Sequence, residues 1–94
     1  MGTDLGKIKC YALQSLKTTY IKLPENVTEI EYNVTYLSNI QKIEISSNIE
    51  KINSKAFVNS QELTEVIIHK EKNSISGSPW GNPYGERAIF WDEI

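Results

Sequence analysis

The chain is 94 residues long, with 39% apolar and 23% charged side chains and a formal net charge of −2. That length holds one domain at most, and this apolar-to-charged balance argues against a disordered chain. Ten Lys and Arg are interspersed among twelve Asp and Glu, so no basic stripe exists to neutralise a phosphate backbone; no apolar run approaches the ~20 residues that span a bilayer, so neither nucleic acid nor membrane insertion is expected.

From Met1 to Cys10 there is no apolar stretch of the kind a secretory signal needs. The protein is therefore expected to be cytoplasmic if Met1 is its natural start, and cell-surface or secreted if it is part of a longer chain. Met1-Gly2 would also fit a start added for expression. Cys10 is the single cysteine, which leaves no intramolecular disulfide and no cysteine zinc knuckle; it is expected to be a small residue in a turn.

The clearest pattern is L-x-x-I-x-I, read at Ile40–Ile45 and again at Leu63–Ile68. Stepping 22 residues back from Ile43 reaches Ile21, and stepping 23 on reaches Val66 and then Ile89. Four short strands are implied, each with a second apolar position two residues on, at Leu23, Ile45, Ile68 and Trp91. Further along each repeat come Val27 and Ile49, then Ile8, Ile30, Ile52 and Ile75, then Ala12, Val34, Ala56 and Pro79 beside Leu13, Thr35, Phe57 and Trp80. Leu16, Ser38 and Ser60 close the unit. A fixed period of this length marks a solenoid, whose units bury their apolar sides only against their neighbours. Each coil reads as strand, turn, second extended piece and a compact segment too short for a free helix, in which one helical or 3₁₀ turn is expected. Four strands spaced by about 4.8 Å make a stack roughly 15 Å tall.

The run from Ile45 to Phe57, followed by Leu63-x-x-Val66-x-Ile68, resembles the BspA-type leucine-rich repeat, and Leu23-Pro24-Glu25-Asn26-Val27-Thr28-Glu29-Ile30 matches that family's I-P-x-x-V-x-x-I stretch. The family's A-F pair is Ala12-Leu13, Val34-Thr35, Ala56-Phe57 and Pro79-Trp80, and Thr35 is expected to leave the second coil thinly packed. The resemblance covers Ile8 to Trp91. It implies a right-handed leucine-rich-repeat solenoid with a short parallel β-sheet, forming a single domain over 1–94 in which 73–94 is the terminal coil and cap. It also implies a bacterial or protozoal surface-associated protein used in adhesion, often with many more repeats.

Between the inward columns, three outward ones follow: Tyr20, Lys42, Glu65 and Ala88; Lys22, Glu44, Ile67 and Phe90; Pro24, Ser46, His69 and Asp92. Lys42 beside Glu65 and Lys22 beside Glu44 are expected to pair across strands. Ile67 and Phe90 are apolar, adjacent and outward, so they lead the candidate partner-binding residues, with His69, Lys22 and Tyr20 beside them. The alternative is that Glu93-Ile94 covers them. His69 next to Asp92 suggests an oriented imidazole, yet no nucleophile with an oxyanion-forming turn accompanies it, and one His cannot carry a zinc site. No catalytic residue, metal or cofactor is expected. Asn26-Val27-Thr28 and Asn33-Val34-Thr35 match the glycosylation acceptor, but their valines should point inward.

The expected function is a non-catalytic interaction module that presents its strand sheet to a protein or a glycan. Two alternatives stand beside it: a structural cap or oligomerisation module without a ligand, and, least favoured, a β-helix-type enzyme, which would need Asp, Arg or Lys clustered in one outward column. The leader before Ile8 is too short and polar to cover the first coil, so the Ile21 edge strand is expected to meet either preceding repeats or a second copy as a homo-oligomer.

Overall fold

A computed structural model describes residues 6–93. Met1–Leu5, expected to leave the first coil uncovered, and Ile94, named as part of a cover for Ile67 and Phe90, lie outside the described residues. In chain order the strands are β1 (Lys7–Ile8), β2 (Tyr20–Lys22), β3 (Glu29–Ile30), β4 (Lys42–Ile45), β5 (Lys51–Ile52), β6 (Glu65–Ile68) and β7 (Ile89–Trp91), with a 3₁₀ helix over Gly85–Ala88.

Two parallel sheets form the solenoid. One runs β2-β4-β6-β7 and the other β1-β3-β5. Their register follows the sequence period: Ile21 lies opposite Ile43, Ile43 opposite Val66 and Val66 opposite Ile89. On the second sheet Ile8 pairs with Ile30, and Ile30 with Ile52. Strands this short are not stable alone; they persist because every coil buries its isoleucine columns against the next. Ile30, Ile43, Ile45, Ile49, Val66 and Ile68 have no exposed surface. Burying such a side chain contributes roughly 1.5–3 kcal/mol. Trp91, expected inside, is only half-buried and packs on the margin of this core.

The compact segments are not the helical turns expected. Isolated turns such as Ser38 N–H to the Thr35 carbonyl, at 3.1 Å, alternate with bonds to the next coil. Asn33 donates to Lys55, Val34 to Ala56, Leu37 to Asn59 and Phe57 to Trp80, at 2.9 to 3.2 Å. These lateral bonds take the donors that a helix would use internally. A left-handed residue also recurs in every coil, 22 residues apart: Ser15 (φ 59°), Leu37 (φ 55°), Asn59 (φ 59°) and Gly81 (φ 79°). That conformation costs most L-residues about 1–2 kcal/mol and stops a helix from propagating.

Thr35 does not leave a thin interior. It is fully buried, and its hydroxyl hydrogen-bonds that of Ser60, whose own oxygen lies 3.2 Å from the Thr35 carbonyl. At the C-terminal end Trp80 is fully buried, edge-on to Phe57 at 6.3 Å and 5.8 Å from the Trp91 ring, with its indole N–H donating to Ser76. Buried Asn82 donates to the Leu63 carbonyl at 3.0 Å and accepts from the Tyr84 N–H at 2.7 Å, tying the tail to the third coil. Ala88, expected to face outward, is instead buried, because it closes the 3₁₀ helix and β7 begins one residue later.

Candidate binding face on the four-stranded sheet

Alternation along β2, β4, β6 and β7 sends Lys22, Glu44, Ile67 and Phe90 outward in register, so these four side chains form one row across the sheet. Phe90 is 46% exposed and Ile67, between Glu44 and Phe90, is half-buried. Beside Phe90 lies a depression of about 400 Å³ lined by Lys70, Lys72, Ile89, Phe90, Trp91 and Glu93. Glu93 therefore borders Phe90 without covering it.

His69 is at the centre of the polar half of this face. Its Nε2 lies 2.6 Å from Glu44 Oε2, and its Nδ1 lies 3.1 Å from the Asp92 carbonyl oxygen and 3.9 Å from Asp92 Oδ2. The other Glu44 oxygen accepts from the Tyr20 hydroxyl at 2.7 Å. One chain of contacts thus links β2, β4, the end of β6 and the segment after β7. Both ring nitrogens face acceptors, so only the imidazolium satisfies both at once. The Glu44 hydrogen bond accordingly raises the His69 pKa above the ordinary 6.5, against the opposing effect of partial burial. Hydrogen bonds from Tyr20 and then His69 lower that of Glu44, and the same contact with Glu44 raises that of the Tyr20 phenol.

The five candidate residues divide in two. His69, Tyr20 and Lys22 gather around Glu44, while Ile67 and Phe90 form the apolar half toward the C-terminal edge. His69 and Asp92 are neighbours as expected, but Glu44 is the closer partner. The expected ion pairs do not form among the described residues. Lys42 sits 5.5 Å from the Tyr20 ring centroid, and Lys22, opposite Glu44 in register, instead borders a cleft of about 260 Å³ with Glu25, Ser46, Ser47, Asn48 and His69. Val27 and Val34 are buried, as the sequon reading required, and Asn33 donates to the Tyr11 hydroxyl at 3.0 Å.

Sequence columns did not point to a second exposed cluster on the turn side. Tyr11 meets Tyr32 and Tyr36 edge-on at 6.2 and 5.5 Å. A tyrosine at each of 11, 32 and 36 was the available signal.

Two stacked parallel ladders, a 22–23 residue period and a continuous isoleucine interior define a repeat solenoid of about four turns. Within that class the chain belongs to the BspA type leucine rich repeat region family, whose model matches residues 1–83. No curated protein and no solved structure matches the chain. Leucine-rich repeats commonly mediate protein interaction, and no described helix is long and apolar enough to cross a membrane.

Proposed function

We propose that the chain is a non-catalytic interaction module whose four-stranded face binds a protein partner through Ile67 and Phe90. The observation that carries this reading is the exposed Phe90 beside a depression rimmed by Lys70 and Lys72. An aromatic anchor with cationic neighbours suits a partner segment that combines apolar and acidic side chains. A glycan is the less favoured ligand of this part of the face, because its outward polar groups are largely engaged with one another. Residues 73–94 serve as the closing coil of a single domain, supported by buried Trp80 and Asn82. Family membership supports placing the module in a surface-associated adhesion protein of a larger repeat array.

The test is capture of partners by wild type and by the double variant Ile67→Asp, Phe90→Asp, with circular dichroism to establish that the variant is folded. Loss of capture by the folded variant is the expected result. Equal capture would remove this patch as the binding site and leave the alternative of a structural cap with no ligand of its own, which the buried tail favours.

A further inference from the structure

Beyond the mutually engaged row of Tyr20, Glu44, His69 and Asp92, the strands end at a polar cleft. β2, β4 and β6 stop at Lys22, Ile45 and Ile68, and the turns that follow them enclose about 260 Å³ between Lys22, Glu25, Ser46, Ser47, Asn48 and His69. These turns are tied in series. Asn48 Nδ2 donates to the Glu25 carbonyl at 2.6 Å, and Lys70 Nζ donates to the Ile49 carbonyl at 2.8 Å. His69 is fixed through both ring nitrogens by Glu44 and Asp92. All six lining residues lie between β2 and the turn after β6, so the cleft is shaped by contacts among described coils. Among the described residues, nothing engages the Lys22 ammonium, the Glu25 carboxylate, the Ser47 hydroxyl or the Asn48 side-chain carbonyl.

We propose that this cleft binds one neutral hexose residue of a glycan. Three features point to that chemistry. The Lys22 ammonium and the His69 imidazolium balance the Glu25 and Glu44 carboxylates, so an anion would meet two carboxylates and a cation two positive groups. The unengaged groups are a mixture of donors and acceptors. A sugar hydroxyl donates once and accepts twice, so a ring with adjacent hydroxyls can donate to Glu25 and the Asn48 carbonyl while accepting from Lys22 and Ser47. The bonds to the two charged groups are the stronger ones. An apolar peptide side chain would instead strip water from these groups and replace none of its hydrogen bonds. Size is the third feature: about 260 Å³ lies below the roughly 300–1,000 Å³ of pockets that enclose drug-sized ligands, which leaves room for one ring. With both nitrogens engaged, His69 offers the cleft ring carbon, and the Lys22 stem adds to this apolar wall for the sugar C–H groups. The cleft shares no lining residue with the Phe90 depression and does not rest on the protein-binding reading of that site.

Amide chemical-shift titration of the full chain with D-glucose, D-galactose, D-mannose and N-acetyl-D-glucosamine in turn tests the site, with sodium acetate as an anion that carries no hydroxyl. At least one sugar is expected to move the amides of Lys22, Glu25, Ser46, Ser47, Asn48 and His69 with a millimolar Kd, while acetate leaves them in place. Glu25 is exposed, and Glu25→Gln keeps its size while removing the charged acceptor. That variant is expected to bind the sugar roughly 5- to 10-fold more weakly. Lys51→Gln, on the second sheet, is expected to bind as wild type does. Should Glu25→Gln not fold, the location of the wild-type shifts and the comparison with acetate decide. No shift with any of the four sugars, shifts confined to residues outside the cleft, acetate binding as tightly as the sugar, or equal affinity in folded Glu25→Gln would each overturn the proposal.

Discussion

Replacing His69 with Gln tests whether the imidazolium holds the last strand to the sheet. Glutamine keeps an amide donor but cannot donate to Glu44 and the Asp92 carbonyl through opposite ends of a charged ring. Two contacts are at stake, a charge-assisted bond of 2.6 Å and a second at 3.1 Å, at a site where the His69 and Glu44 side chains are 23% and 21% exposed. Such contacts in a half-solvated setting are together worth about 1–2 kcal/mol. The folded state raises the His69 pKa, so this contribution is complete below the unfolded value of 6.5 and is lost as pH rises through the folded one. Glu44, lowered in the folded state, sets the acid limit: its share is complete above its ordinary 4.5 and is lost as pH falls through the lower folded value. Thermal melts of wild type and His69→Gln between pH 5 and 9 should show the largest gap near pH 5.5. The gap should narrow toward pH 9 by about 1 kcal/mol, or roughly 4–8 °C in a domain of this size. A difference that stays constant across that range would show that the ring acts by packing and not by charge.

Four other outcomes follow from the interior and the turn column. Ser60→Ala leaves the buried Thr35 hydroxyl without its side-chain partner and should cost about 1–3 kcal/mol in urea unfolding, whereas Thr35→Val, which leaves the Ser60 hydroxyl near two carbonyls, should cost about 1 or less. In the left-handed column, Gly81→Ala would bring a Cβ within 2.5 Å of Val58 Cγ1 and should destabilise by more than about 1 kcal/mol. Exposed Leu37→Asn should instead stabilise by about 0.5–1 kcal/mol, since asparagine tolerates this backbone region; a lower midpoint for that variant would refute the account of the column.

The strands and their register were legible because a period-2 apolar pattern repeated every 22 or 23 residues fixes which side chain faces in, and one slip would turn Ile43 and Ile45 to solvent. Diagonal contacts were not. His69 reaches Glu44 from two positions further along the neighbouring strand, a path open to long side chains but invisible when residues are matched straight across, and so Lys22 was assigned to Glu44 instead. The turns escaped for a different reason. Ser15, Leu37, Asn59 and Gly81 share a backbone conformation but no side-chain property, so the column exists in φ and not in residue type. Thr35 looked like a packing defect because its complement, Ser60, lies 25 residues away.

The two sheets stop at different heights, since β5 is the last strand of one while β6 and β7 carry the other further. A copied unit placed beyond β7 would therefore find only one ladder to join, while a unit inserted between inner coils would find both. Whole units of 22 or 23 residues slip into the middle, each adding about 4.8 Å of height, and the Trp80 closure is carried along unchanged. A residue inserted within a strand would turn its isoleucines to the other face, whereas the step from 22 to 23 residues between coils is absorbed in the turns.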